Sequence, residues 1–256
     1  MLYHPIMNRE EPYMQVKTIP ITLENFKMLN STVRHFSFRS PAVFNYLAGQ
    51  FITMHFEHQG KTLRRSYSIA NVPTNDNCIE FAANYVAGGP GTNILFNLKP
   101  GDQIQVNGPF GRLILKDPIP KRYILIATGT GVTPYRAMRE VLQQRLDEQL
   151  DMHVVLLLGV QTCADILYEA EFLAWANESP RFQFNAYVSR EPDSTDLAQH
   201  QKFGRVNLAY DQLDLQPTDD LIYLCGNPAM IDDSFEYFKQ HGFSTQQIIR
   251  EKYISA

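Results

Sequence analysis

The hydrophobic period of this 256-residue chain changes near residue 116, which limits the fold to two differently built halves. Before that point apolar positions alternate. Ile52, Met54 and Phe56 are interleaved with Phe51, Thr53 and His55, and Gln59-Gly60 turns the chain into Lys61–Ala70, which reads as a hairpin. Ile79–Val86 and Ile104–Val106 are further strand patterns, set apart by Pro, Gly and Asn. Many short strands without a long helical pattern predict a small antiparallel β-barrel. After residue 116, short apolar runs at Tyr123–Ala127, Val154–Gly159, Phe182–Val188 and Leu221–Cys225 alternate with helical patterns. Met138, Val141, Leu142 and Leu146 share one helical face, and a weaker helix covers Leu167–Asn177. Met230, Ile231, Phe235 and Phe238 share another face, ended by Gly242 as a C′ residue. Alternating strand and helix predicts a parallel sheet with right-handed crossovers. The expected boundary falls at Lys116–Lys121, around Pro118 and Pro120. It divides the chain into a β-barrel domain, 1–116, and an α/β domain, 117–256.

Composition narrows the chemistry. Cys78, Cys163 and Cys225 are far apart and too few for a disulfide framework or a four-thiolate iron–sulfur cluster. The seven His residues form no H-E-x-x-H, and His55 and His58 fall on opposite strand faces, so no metal site is expected. Redox work would therefore need an organic cofactor. No apolar run approaches the roughly 20 residues of a membrane helix. The segment Met1–Pro20 lacks the order of a signal peptide, which predicts a cytoplasmic protein. Residues 1–115 carry ten Lys and Arg against seven Asp and Glu, a net +3. Residues 116–256 carry thirteen against twenty, a net −7. This asymmetry is too weak for nucleic acid, which calls for a clustered basic stripe.

Four motifs suit phosphates or flat rings. Gly129-Thr130-Gly131-Val132-Thr133-Pro134 follows the first buried strand of the second half. Thr133 is placed to cap the next helix and Pro134 suits its first position. Free amides at such a helix start attract a pyrophosphate, although the motif also serves as a plain tight turn. Gly88-Gly89-Pro90-Gly91-Thr92 is a second glycine-rich loop, with Thr92 placed to cap a short helix over Asn93–Leu98. It is either a second diphosphate site or a barrel turn. Arg65-Ser66-Tyr67-Ser68 ends a strand, with Arg65 and Tyr67 on one side. The pair suits a phosphate and a stacked ring, or an ordinary surface Arg beside a cross-strand Tyr. Cys225-Gly226-Asn227-Pro228-Ala229-Met230 repeats the strand-to-helix device. It sets Cys225 at the carboxyl end of a parallel strand, where α/β sheets bind ligands; the alternative is a structural buried thiol.

In this order and spacing, R-x-Y-S, G-x-x-T, G-T-G-x-x-P and C-G-x-x-x-M resemble the ferredoxin–NADP reductase family, of bacterial type, over about residues 14–253. Tyr46–Phe51 and Gly108-Pro109-Phe110-Gly111 agree with it. The resemblance implies FAD in the barrel, its pyrophosphate held by Arg65 and by Gly89, Pro90, Gly91 and Thr92. It implies Tyr67 against the isoalloxazine, and Ser66 and Ser68 beside the flavin. Gly129, Thr130, Gly131, Thr133 and Pro134 would take the pyrophosphate of NADP(H), and Cys225, Gly226 and Met230 would lie near the nicotinamide. Ser189, Arg190 and Arg205 would surround a 2′-phosphate, which favours NADPH, although Asp193 and Asp196 are close by. Glu251-Lys252-Tyr253 resembles the terminal E-x-Y, so Ser68, Cys225, Glu251 and Tyr253 become the implied catalytic group. Ile254-Ser255-Ala256 extend beyond it and leave open whether Tyr253 itself stacks on the flavin.

The implied activity is electron transfer between NADPH and ferredoxin or flavodoxin, with the positive half meeting an acidic carrier. No nucleic-acid or membrane partner is expected. An NADH-dependent oxygenase reductase component and a flavin-binding electron-transfer or sensor subunit are the alternatives.

Overall fold

The computed structural model describes residues 18–74 and 76–253. Most of Met1–Pro20 and all of Ile254-Ser255-Ala256 lie outside the described residues. The first sheet holds β1 (Ile19–Met28), β2 (Val33–Arg39), β3 (Phe51–His58), β4 (Lys61–Ser68), β5 (Cys78–Asn84) and β6 (Gln103–Phe110). All its pairings are antiparallel, in the order β4-β3-β6-β1-β2-β5. The β3–β4 hairpin turns at Gln59 and Gly60, whose φ values of 50° and 73° match the twist of the flanking strands. The two edge strands come together at an Ile69–Phe81 bridge, and Tyr67 stacks on Phe81 at 4.8 Å across this seam. The sheet thereby rolls into the expected barrel, filled by Ile21, Phe36, Phe38, Ile52, Met54 and Phe81.

β1 and β2 were not legible as strands. Only Ile21 and Leu23 of β1 are buried, and its second half runs free of the core. In β2, His35 is buried on the face opposite Phe36 and Phe38, which breaks the alternation. The second half of the chain covers that face. The helix α1 (Pro90–Asn97) starts three residues before the expected one. Thr92 does not cap it; Gly89 sits at the cap, and the Thr92 hydroxyl turns back to the Gly89 and Val86 carbonyls, each at 3.1 Å.

The second sheet is parallel: β7 (Arg122–Thr128), β8 (His153–Val160), β9 (Phe182–Val188), β10 (Gln201–Phe203), β11 (Asp220–Gly226) and β12 (Ile248–Lys252), in the order β10-β9-β8-β7-β11-β12. The helix expected across Met138–Leu146 is two helices, α2 (Thr133–Ala137) and α3 (Arg139–Glu148), broken at Met138. Thr133 is not a cap either. A turn of 3₁₀ helix, Gly129–Val132, precedes α2 and leaves Thr133 inside it, 1% exposed. Helices α4 (Glu169–Glu178) and α5 (Pro228–Gln240) lie where their patterns predict, and Gly242 follows α5 with φ 91°. No helix among the described residues is long and apolar enough to cross a membrane.

The two sheets share one apolar cluster. Val33, Ala48, Ala82 and Leu113 of the barrel side pack into it with Val132, Tyr135 and Met138. A polar clamp lies beside this cluster. Arg136 of α2 donates to the Ala70 carbonyl at 2.9 Å and to Glu80 at 3.2 Å, and grips Glu171 of α4 through Nε at 2.6 Å. His35 joins Glu80 at 3.3 Å and the Tyr168 hydroxyl at 2.9 Å. The hydrogen bond from His35, working against burial and aided by the Arg136 charge, holds Glu80 down to about 2. Its ionised form therefore stabilises the fold above the usual carboxylate pKa, a contribution lost as pH falls towards 2. Removing Arg136 strands a half-buried carboxylate, so Arg136→Met should cost about 2–4 kcal/mol in urea unfolding at neutral pH. Arg139→Met, which breaks only the exposed pair with Glu178, should cost under about 0.5 kcal/mol. Equal losses would contradict the clamp.

Candidate functional site

The crossovers from β7 run to β8, β9 and β10 on one side, and the chain returns to β11 and β12 on the other. A crevice therefore opens at the carboxyl ends of β7 and β11, where α/β sheets place ligands. Two glycines let the backbones meet there. A Cβ on Gly131 would fall 2.3 Å from the Cys225 carbonyl oxygen, and one on Gly226, at φ 125°, would fall 2.4 Å from Thr128 Oγ1. That hydroxyl instead accepts from the Asn227 amide at 2.8 Å, while the Asn227 side chain caps α5 through Ala229 and Met230.

The crevice continues into a cavity of about 1040 Å³, at the upper end of ligand-pocket sizes. Gly129, Thr130, Gly226, Met230 and Tyr253 line its inner part. Ser189, Arg190 and Arg205 line its far end, with Arg190 reaching Gln161 at 3.2 Å. The structure does not bring every expected residue to the surface of the cavity. Gly131, Thr133, Pro134 and Cys225 pack beneath it, so Gly131 is required by the approach of the Gly129–Val132 turn to β11 rather than by direct exposure to a ligand.

The four residues grouped by resemblance meet where the barrel touches this sheet. Ser68, the last residue of β4, donates to Glu251 Oε1 at 3.2 Å. Tyr253 donates from its hydroxyl to Ser68 Oγ at 2.6 Å, and its backbone amide bonds to the Gly226 carbonyl at 2.8 Å. β12 pairs with β11 so that Glu251 lies beside Cys225. Gly111 of the barrel abuts Glu251, leaving 3.0 Å between Oε2 and the place a Cβ would take. Burial raises the Glu251 carboxyl to about 7, against the opposing Ser68 hydrogen bond. Burial, then the neighbouring Glu251, keeps the Cys225 thiol well above its ordinary range. Burial, then Cys225, does the same for the Tyr253 phenol. The cluster thus holds neutral donors around one carboxyl that changes charge near neutrality.

The barrel carries a second cradle. Gly91 in the first turn of α1 lies against Arg65, where a Cβ would sit 3.2 Å from Arg65 Cγ. A side chain there would close the approach between a fixed guanidinium and a helix start whose first amides lack helical partners. Gly89, Pro90, Gly91, Thr92 and Arg65 thus form one anion-suited corner, and these residues fit a flavin dinucleotide's pyrophosphate. Tyr67 stands beside it, stacked on Phe81. Ser66 faces away from Tyr67 and bonds to Thr53 at 3.0 Å.

Sequence reasoning missed Thr128, which steers Asn227, and the Asn30–Thr32 turn and Asp165, which line the cavity. The N-S-T stretch at Asn30–Thr32 is a usable turn signal, but the strands that flank it lack a clear alternation.

The Glu251 carboxyl supplies a stability test. Its raised value means that the ionised form is disfavoured in the fold, so stability falls as pH rises from the ordinary carboxylate value towards 7. Glu251→Gln should therefore raise Tm relative to the parent at pH 8, with a gain of up to roughly 3 kcal/mol. The gain should shrink to about 1 kcal/mol at pH 5 and vanish by about pH 3.5 in parallel thermal scans. A gain independent of pH would contradict the raised pKa.

Known proteins share this two-domain fold. An oxidoreductase FAD-binding domain matches residues 20–114 and an oxidoreductase NAD-binding domain matches residues 125–235. The CDP-6-deoxy-L-threo-D-glycero-4-hexulose-3-dehydrase reductase of Yersinia pestis is 30% identical over 98% of this chain and 72% of its own. The ferredoxin–NADP reductase of Azotobacter vinelandii is 30% identical over 80% of this chain and 82% of its own. The crystal structure of an Amycolatopsis cytochrome P450 reductase superposes with a TM-score of 0.80 at 27% identity, covering 93% of this chain and 70% of that one. The chain is an oxidoreductase that binds FAD and a nicotinamide dinucleotide, and it belongs to the ferredoxin–NADP reductase family.

Proposed function

We propose that the protein is an FAD-dependent reductase that takes electrons from NADPH and passes them to a separate one-electron carrier of ferredoxin or flavodoxin type. The observation that carries this reading is the Ser68–Cys225–Glu251–Tyr253 cluster, built where the barrel meets the carboxyl end of β11. Residues 1–116 form the FAD-binding domain and 117–256 the dinucleotide-binding domain with its tail turned to the flavin. Bound FAD supplies the hydride acceptor and an outlet for single electrons.

The chain supplies orientation, dryness and proton handling. Arg65 and the α1 start anchor one pyrophosphate, and Gly129 and Thr130 the other. Tyr253 lines the crevice and Cys225 packs beneath it, so both help to keep water from the place where hydride would pass. Tyr253 OH donates to Ser68 Oγ, and Ser68 Oγ donates to Glu251 Oε1, so the hydroxyls point towards the carboxyl. Glu251, near its midpoint at neutral pH, can hold or release a proton at Oε1 or Oε2 as the active site changes charge.

Two guanidiniums and the Ser189 hydroxyl at the far end of the cavity suit a dianionic 2′-phosphate. Arg190→Ala and Arg205→Ala should each raise KM for NADPH roughly tenfold or more, from loss of a charge-assisted contact, with little change for NADH. Steady-state assays with both coenzymes decide it. A parent enzyme that prefers NADH would favour the oxygenase-component reading, to which the Amycolatopsis likeness also points. Reduction of an acidic ferredoxin should slow steeply between low and physiological salt if the +3 half steers docking. A salt-independent rate would contradict that route.

A further inference from the structure

Asn30 and Asp165 line the dinucleotide cleft from opposite halves of the protein. Asn30 lies just after β1 in the barrel. Asp165 ends the single 3₁₀ turn Cys163–Asp165 after β8. They are 135 residues apart, yet Asn30 Nδ2 donates to Asp165 Oδ1 at 3.2 Å.

Each side chain is already committed to its own turn. Asn30 Oδ1 accepts from the Thr32 and Val33 amides at 2.9 and 2.6 Å. Asp165 Oδ2 accepts from the Thr162 amide and hydroxyl at 3.1 and 2.9 Å, closing a capping box. Two turns with fixed side chains therefore present one spare donor and one spare acceptor to each other. A bond between prefixed groups costs little further conformational entropy. Its acceptor is a carboxylate, which strengthens it. The same two segments touch again at the His35–Tyr168 bond of 2.9 Å, where Tyr168 sits in the left-handed region at φ 57°. Between these two contacts, Thr32, Val33 and Leu167 form one wall of the cleft.

We propose that the Asn30–Asp165 hydrogen bond is a latch that sets the width of the dinucleotide cleft, which makes both residues positioning residues for the coenzyme. The proposal rests on reading this cleft as the coenzyme site. The His35 contact is buried and fixes the inner end of the wall; the Asn30 bond is only partly buried and fixes the outer end. Without it, the barrel turn and the 162–168 segment lose their outer tie, and the bound dinucleotide must order them itself.

The test uses the flavin-loaded protein and three variants: Asn30→Asp, Asp165→Asn and the two combined. Asn30→Asp keeps the oxygen that accepts from Thr32 and Val33 but sets like charges against each other across the cleft. Asp165→Asn keeps an oxygen for Thr162. The combined variant restores one donor and one acceptor with their direction reversed. Calorimetric titration with NADP+ and with NAD+ measures Kd, and the flavin absorption spectrum reports that each variant is folded. For the dinucleotide that the parent binds more tightly, Kd should rise about tenfold in Asn30→Asp, or about 1.4 kcal/mol. It should return to within about twofold of the parent in the combined variant. An unchanged Kd in Asn30→Asp overturns the latch. A weakened Kd that the combined variant fails to restore also overturns it, because the defect then belongs to the separate turns. A parent protein that binds neither dinucleotide overturns the reading of the cleft and the latch with it.

Discussion

Two sheets that share no strand must be held at a fixed separation if a ring seated on one is to face a ring seated on the other. Arg136 is where this protein meets that requirement. Its guanidinium bonds to a barrel carbonyl, a barrel carboxylate and a carboxylate of α4 at once, and its stem belongs to the helix that follows the Gly129–Val132 turn. The Gly129–Val132 turn, the barrel seam at Ala70 and the start of α4 are therefore located by one planar group with five donors. A lysine could supply the charge but not that geometry.

This constraint explains why the chemistry-bearing residues come from both ends of the chain. Ser68 closes β4 and Glu251 lies in β12, 183 residues later, yet they bond directly. β12 adds to β11 at the edge of the parallel sheet, and the Glu251 side chain there abuts Gly111 and bonds to Ser68. Closeness also raises the Glu251 carboxyl, since burial between two halves removes water that neither half alone would exclude. A group that titrates near neutrality is thus a product of assembly.

Much of this could be read from residue order. The hairpin at Gln59-Gly60, the helix face of Met230, Ile231 and Phe238, and the cap at Asn227 follow from local physics, which a short window of sequence records. The parallel sheet follows from alternation of period. Thr92 and Thr133 misled for a shared reason: each is a good cap by type, but a preceding turn was already satisfied by backbone, and the helix began elsewhere. β1 escaped because its second half is exposed, and β2 because His35 is buried on the outer face by a partner 133 residues away. The Ser68–Glu251 and Asn30–Asp165 bonds are long-range for the same reason, and no spacing rule reports them. The family motifs located the first bond indirectly; nothing in the sequence located the second.

In the proposed reaction, hydride passes from a nicotinamide in the β7–β11 crevice to a flavin beside Ser68. The most direct measurement is anaerobic stopped-flow absorbance of the FAD-loaded protein mixed with NADPH, repeated with NADPH carrying deuterium at the transferred position. The yellow flavin band should bleach in a single turnover with a clear primary isotope effect. Ser68→Ala should slow the bleaching while leaving bound FAD in place. A flavin that stays oxidised under NADPH and NADH alike, or one that bleaches at the same rate in Ser68→Ala, would contradict it.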